Sequence, residues 1–480
     1  GNIVVSTIWS AERLSGVGPK YKAVVSMIRE QIASGALPPG EKVPPVRDLA
    51  WQLRITPGTV ARAYTVLTDS GVLVAEIGRG TFVAAHEGIP PGKTGDVPLN
   101  LIEIDSVRHN VRGDTENVNL FSPHLPNGGQ AELIRRLLAD VAANPPSGVM
   151  HYPSRRSARA ARQAMVHWLK GAPIGALDEM DIVLSHGGQN AILLVFQTVL
   201  RGRRPIVFVE ELAYPGFRRA AELVRADVVA IKMDGDGIIP EALAEAAELH
   251  PEAQIICTSP EVHSPSCGFT PMARREAIVE IARRHDLQIL EDDCYRMGSA
   301  EGIGYRRLAP ERGWYVSSLS KSISPALRVG CAIGPRGMNG PLHRSAEHGY
   351  FGLAAPMIDL TAALLADPQL PQIMQRCRIG VAEYVKVAVN LLGSFDLRWR
   401  TDVPFLWLHL PQGWRASAFC QAAEKRGIQI RAAEEFAGRD ARTPHAVRMA
   451  INGGVSLARF ERAMAELRDL LDDPADQINV

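Results

Sequence analysis

Lys321 stands in the run "VSSLSKSISPALRVG", with Ser318 three residues before it and Arg328 seven residues after it. A lysine amine can form a Schiff base with a carbonyl, and a hydroxyl and a guanidinium on either side are donors for a phosphate. Upstream, "LQILEDDCY" delivers Asp292 and Tyr295. The carboxylate could keep a heterocyclic nitrogen protonated, and the phenol could bond a ring hydroxyl. Tyr214, in Tyr214-Pro215-Gly216, offers an aromatic face to a flat ring. Gly187 closes "DIVLSHG", and with Gly188 and Gln189 it lies between that run and a helical stretch, where free amides and the helix dipole favour a phosphate. Taken singly, each has an ordinary explanation: a chance S-x-x-K, an acidic magnesium site, a packed ring. Their order along the chain carries the signal.

These residues need a frame that brings them together. Apolar runs "DIVLSHG", "PIVFVEE", "DVVAIKM", "AQIICTSP", "QILEDDCY", "WYVSSLS" and "RVGCAIG" alternate with amphipathic stretches such as 273–285. Near-continuous apolar strands of this kind predict an α/β domain with a largely parallel sheet buried on both faces. In such sheets ligands bind beyond the carboxyl ends of the strands, which is where the chemistry-bearing residues stand.

In this order the motifs resemble the fold-type I pyridoxal-phosphate aminotransferases, from about residue 120 to 475. The resemblance implies a mostly parallel seven-stranded sheet, a smaller C-terminal α+β subdomain over about 370–480, and pyridoxal 5'-phosphate as cofactor. It assigns Lys321 as the Schiff-base lysine, Asp292 to the pyridine nitrogen, Tyr295 to the phenolic oxygen and Tyr214 to ring stacking. Gly188, Gln189, Ser318 and Arg328 fall to the phosphate. Arg448, in "HAVRMAING", falls to the carboxylate of a substrate or effector. One stretch departs from the family: where Asn-Pro-Thr-Gly is usual, this chain has His263-Ser264-Pro265-Ser266-Cys267-Gly268. The loop is one residue longer and lacks the amide that tunes the ring hydroxyl, leaving Ser264 or His263 as the replacement donor. Cys267, Cys294 and His263 have no metal-ligand spacing, so no metal is expected.

A second chemistry lies at the other end. Residues 20–85 hold eight basic against five acidic side chains, a net +3, although the whole chain is balanced at 53 against 52. Tyr21, Val24, Val25, Ile28 and Ile32 recur at helical spacing up to Gly35. Val46, Leu49, Ala50 and Leu53 make a second stripe. Val60, Ala63, Tyr64 and Leu67 make a third, opened by Thr56 as N-cap and Pro57 at the first helical position. "GVLVAEIGRGTFVAA" reads as a hairpin around Gly78-Arg79-Gly80. Three helices and a basic-tipped hairpin predict a winged helix-turn-helix over 15–85, with double-stranded DNA as partner. "LPPGEKVPPVRDLAWQL", "TPGTVARAYTVLTDSG" and "GRGTFV" resemble the GntR-type pattern, which places Arg47, Thr59, Arg62, Gly78 and Arg79 at the DNA. Thr59 and Arg62, early on the third helix, would reach base edges, while Arg47 and the hairpin tip would meet phosphates.

Residues 86–118 mix Pro, Gly and charge without periodicity and predict a linker between that head and a body over 119–480. A GntR-type head on an aminotransferase-like body resembles the MocR subfamily of bacterial transcriptional regulators. The resemblance implies a homodimer, head-to-tail, and an operator response to a small amine, an amino-acid-like effector or pyridoxal phosphate itself. The alternative is an active aminotransferase carrying a DNA-binding domain. Retained Lys321, Asp292 and Arg448 speak for the enzyme, while an intact winged helix and the altered loop speak for the regulator. With 46% apolar and 22% charged residues in 480, a disordered or fibrous chain is excluded. The longest apolar runs, such as "AILLVF", fall far short of the ~20 residues of a membrane span, and no leader-type pattern opens the chain, so a cytoplasmic protein is expected. Six scattered cysteines predict buried thiols and no disulfide framework.

Overall fold

The computed structural model describes residues 9–14, 18–76, 78–84, 117–439 and 441–473. The expected linker lies outside these residues except for its last two, as do 15–17, 77 and 85 of the expected head. The chain divides into two units, one containing the N-terminal helices and hairpin and the other containing Asn119–Gly453.

In the first unit, α1 (Lys20–Ala33) buries Val24, Met27 and Ile28 and ends before Gly35, whose φ of +84° suits glycine. Helix α2 (Val46–Leu53) buries Leu49, Ala50 and Leu53. Helix α3 (Pro57–Asp69) starts as its sequence predicts: the Thr56 side chain accepts the Thr59 amide, and Pro57 occupies the first turn, where no N–H is needed. Val60, Ala63, Tyr64 and Leu67 complete the core. Strands β1 (Leu73–Glu76) and β2 (Gly80–Val83) pair antiparallel from Leu73↔Val83 to Glu76↔Gly80. The segment before α2 joins this hairpin, since Val43 donates its amide to the Thr81 carbonyl and Val83 donates to Glu41.

The second unit is built on seven strands, β3 (Ile182–Ser185), β4 (Ile206–Glu210), β5 (Asp227–Ile231), β6 (Ala253–Thr258), β7 (Gln288–Asp292), β8 (Gly313–Ser318) and β9 (Gly330–Ile333). Their order is β3-β9-β8-β7-β6-β4-β5, and β9 alone among them runs antiparallel to its neighbours. Helices α4 (Gly187–Val199) and α5 (Gly216–Leu223) cover one face, packing Ile192, Val195 and Phe217 against Val207, Leu290 and Val316. The other face is covered towards β4 and β6 by helices Pro240–Leu249 and Met272–Arg284, and towards β3 and β9 by helices Arg159–Trp168 and Ala355–Ala366. Covering both faces is what makes the strand sequences almost uniformly apolar. The seven apolar runs are the seven strands of this sheet. Strands β10 (Asp396–Arg398), β11 (Phe405–His409), β12 (Arg431–Ala432) and β13 (Ala446–Ala450) form a separate antiparallel sheet in the order β10-β11-β13-β12. Helices Leu370–Leu392, Ala416–Lys425 and Leu457–Asp472 accompany it. No described helix is long and apolar enough to cross a membrane.

Candidate functional site

Strand ends β4, β7 and β8 and the N-terminus of α4 bring the predicted residues together around Lys321. Lys321 follows β8, and its Nζ lies 4.1 Å from the ring centroids of both Tyr214 and Tyr295. Burial opposes the charged ammonium, but the Tyr214 and Tyr295 phenols, Cys294 and Asp292 outweigh it and raise the lysine pKa. For Tyr295 burial pushes the phenol up, yet the nearby charges of Lys321 and Arg448 bring it below its ordinary value. For Tyr214 burial wins and the phenol is raised. Asp292 is the last residue of β7, and its Oδ1 accepts the Cys294 amide at 3.0 Å.

Ser318 caps the short helix carrying Lys321 by accepting the Ser320 amide, and the Ser320 hydroxyl is separately buried without a partner. Gly187 and Gly188 open α4 where side chains have no room. A Cβ on Gly188 would stand 2.8 Å from Cys294 Sγ and 3.4 Å from Ser318 Cβ, and one on Gly187 would stand 3.1 Å from an Arg328 nitrogen. Arg328, itself at φ +50°, reaches back to the His186 carbonyl beside this turn. Gln189 donates to the Gly216 carbonyl and keeps a buried, unpartnered Oε1. Gly216 is the tightest glycine here: an added Cβ would meet Gln189 Oε1 and Tyr214 Cε1, each 2.1 Å away. A G216A variant should therefore push the Tyr214 ring off the Lys321 amine and weaken binding of pyridoxal phosphate, the cofactor the sequence resemblance implies, about tenfold or more, read by absorbance titration.

The altered loop sorts its two candidate donors. Ser264 is buried, and its hydroxyl accepts from Arg448 at 3.0 Å. His263 turns away: Nε2 donates to the Leu212 carbonyl at 2.7 Å, and Nδ1 accepts from Ser266. Burial pulls its pKa down to about 4, so the ring is neutral at pH 7. Beneath it lies Glu210, which accepts from Thr258 and is pushed up to about 8 by burial. The composition and motif reading missed this buried Glu210–Thr258–His263 group. It also missed Phe121, whose carbonyl accepts from Arg448 at 2.7 Å, and Arg431, which donates to the same carbonyl.

In the first unit Arg47 is exposed on α2, and Thr59 and Arg62 stand in the first turns of α3. The Arg62 guanidinium lies 3.9 Å from the Tyr21 ring centroid, and the Thr59 hydroxyl shares a bond with the cap Thr56. Arg79 projects from the hairpin tip beside Gly78, 79% exposed and 3.9 Å from Glu76. Two further groups went unread in the sequence: Trp51, 83% exposed on α2, and Lys42, whose side chain fills the space beside Gly80.

Residues 118–467 match the family Aminotransferase class I and II. The chain belongs to that family. Residues 20–83 match the bacterial regulatory proteins of the gntR family, so a GntR helix-turn-helix domain precedes the aminotransferase domain, the layout of the MocR subfamily. The uncharacterized HTH-type transcriptional regulator YdeF of Bacillus subtilis is 26% identical over 465 residues, 95% of each chain. The HTH-type pyridoxine biosynthesis transcriptional regulator PdxR of Corynebacterium glutamicum is 25% identical over 319 residues, 65% of each chain. An archaeal alanine:glyoxylate aminotransferase shares the fold at TM-score 0.69 and 20% identity, over 78% of this chain and 96% of that one. Kynurenine aminotransferase of Pyrococcus horikoshii, solved with PMP, does so at TM-score 0.66 and 20% identity, over 76% and 94%.

Proposed function

We propose that this class I and II aminotransferase relative is a DNA-binding transcriptional regulator that holds pyridoxal 5'-phosphate at Lys321 and is switched by a small amine, an amino-acid-like ligand or the cofactor itself. The observation that carries the reading is the convergence of Lys321, Tyr214, Tyr295, Asp292, Ser318 and the Gly187–Gly188 turn on one site. The unpartnered Gln189 Oε1 and Ser320 hydroxyl, and a turn in which added Cβ atoms would collide, fit an anionic group seated at the start of α4. When bound, the cofactor supplies an aldehyde that condenses with amines. The chain supplies the rest: Lys321 the attachment point, Asp292 a carboxylate for the ring nitrogen, Tyr295 and Ser264 the ring-oxygen side, Tyr214 the stacking face. Gly188, Gln189, Ser318 and Arg328 hold phosphate, and Arg448 binds the effector's carboxylate.

The head reads DNA through Thr59 and Arg62 and anchors on phosphates through Arg47, Gly78 and Arg79, with residues 86–118 as the linker to the body. An exposed apolar patch of Val149, Met150, Tyr152 and Phe351, the last two with ring centroids 6.2 Å apart, supports a homodimer, and the head-to-tail arrangement is what the MocR resemblance implies. Regulation by binding needs different affinities for two states of the body. The second reading, a working aminotransferase with a DNA-binding domain, draws on the aminotransferase fold and on Lys321 and Arg448. A hydroxyl at Ser264 where the family has an amide favours the regulator.

The test is titration of the full-length protein with pyridoxal phosphate and then amines, following visible absorbance and DNA binding together. A new absorbance band and a changed DNA affinity are expected; no band ends the reading, and steady amino-group turnover near 1 per second favours the enzyme. For the head, R62A should lose about 1–3 kcal/mol of specific binding and relax sequence preference, whereas R79A should weaken all DNA alike and lower the salt slope by about one. Fluorescence anisotropy across a salt series separates the two.

A further inference from the structure

Lys42 reaches the hairpin tip of the head from outside the hairpin. It lies before α2, in a segment that pairs along β2: Gly40 and Val43 donate their amides to the Val83 and Thr81 carbonyls at 2.9 Å, and Val83 donates back to Glu41. Lys42 stands opposite Phe82 in this antiparallel pairing. Residues opposite one another share a face of the sheet, and so do residues two further along either strand. Lys42 therefore shares its face with Gly80, and its side chain runs diagonally over that glycine. A Cβ added at position 80 would stand 2.6 Å from Lys42 Cε and 3.3 Å from Nζ. The lysine stem occupies the place where any other residue would put its side chain, and the ammonium ends beside Gly80, next in the chain to Arg79.

The carboxylate at this end of the hairpin is Glu76, which pairs with Gly80 across the ladder and lies 3.9 Å from Arg79. Both members of that pair are well exposed, so water and salt weaken it and a phosphate can replace it. Among the described residues no carboxylate is within ion-pair distance of Lys42. Two cations against one carboxylate leave the tip net positive. We propose that Lys42 is a phosphate-binding residue of the hairpin, seated by Gly80 so that its ammonium and the Arg79 guanidinium meet two separate phosphates of the DNA backbone. Gly80 is then a positioning residue, since a side chain there would push the ammonium aside. An ammonium on a flexible stem is a point charge without a fork of donors, so the contact adds affinity and no base preference. The inference rests on the head being the DNA-binding domain, and it adds a contact that the motifs do not assign.

The test is a salt series of fluorescence anisotropy on the full-length protein, with a mixed-sequence DNA duplex and with a fragment selected from that mixture for tight binding. K42M keeps the stem over Gly80 and removes only the charge. It should lower the slope of log affinity against log salt by about 0.9 on both DNAs, which makes binding about eightfold weaker near ~0.1 M salt and equal to the wild type near ~1 M. K42R should keep the wild-type slope. K42M/R79A should lower the slope about twice as far as R79A alone, because each cation holds its own phosphate. G80A should lower the slope in the wild type but add nothing to the slope loss in K42M; the strain of an alanine at φ +119° is common to both backgrounds and cancels. Lys42 is exposed, so K42M should fold as the wild type does, and circular dichroism checks this. An unchanged slope in K42M, or a double variant no lower than R79A, overturns the proposal. So does a loss of affinity in K42M that is equal at every salt concentration, which would make the residue a packing element of the hairpin. A wild-type protein that binds neither DNA would instead remove the reading of the head, and the proposal with it, so the two failures are told apart.

Discussion

A Lys321→Ala protein should be colourless, show no visible band with pyridoxal phosphate, and retain no cofactor after borohydride, while the wild type keeps it fixed to Lys321. The effect is close to all-or-none because no other lysine stands among the residues that converge on the site, and a covalent attachment cannot be replaced by packing. Stability should change little. Lys321 is partly exposed, and its amine contributes cation–aromatic contacts at 4.1 Å to Tyr214 and Tyr295 rather than core volume. Removing that charge should also let the Tyr295 phenol rise towards its ordinary range, since the ammonium is the largest of the charges that pull it down against burial. Absorbance titration of the phenol in both proteins reads this directly. Coloured, reducible adduct in K321A would move the attachment to another amine and take the site assignment with it.

How far the sequence could be read follows from the range of the interactions involved. The seven strands were legible because all but the edge strand β5 are buried on both faces, so their own composition reports their environment. The start of α3 was legible because Thr56, Pro57 and Thr59 interact within four residues. Lys321, Ser318 and Arg328 lie within one stretch, so their grouping survives as a motif. By contrast the Arg448 contacts run to Ser264 and Phe121, 184 and 327 residues away, and Glu210 meets Thr258 across 48. Nothing local marks such partners, since a serine hydroxyl or a main-chain carbonyl looks the same in any loop. The loop from His263 to Gly268 shows the boundary: the missing amide is visible in the sequence, but which neighbour faces Arg448 depends on the Leu212 carbonyl capturing His263.

The same loop rests on one buried ion pair, and breaking it should give the largest stability change among the substitutions discussed. Arg275 is fully buried and donates to the Thr270, Ile303 and Pro260 carbonyls and, at 3.0 Å, to Glu261. Pro260 and Thr270 bracket the stretch that carries Ser264, and the Thr270 amide returns a bond to the Pro260 carbonyl. Arg275→Ala would strip three carbonyls of a donor and leave Glu261 buried with only the Glu301 and Gly302 amides as partners. Losing one partner of a buried pair costs about 3–5 kcal/mol, mostly from the charge left behind. Urea unfolding should show that loss in R275A. The double variant R275M/E261Q, which removes the stranded charge and refills volume, should recover a good part of it. Since Ser264 meets Arg448 from this loop, R275A should also blunt the response to carboxylate ligands under conditions where it remains folded. A loss below about 1 kcal/mol would mean that water reaches Glu261 at little cost and that the loop is held from elsewhere.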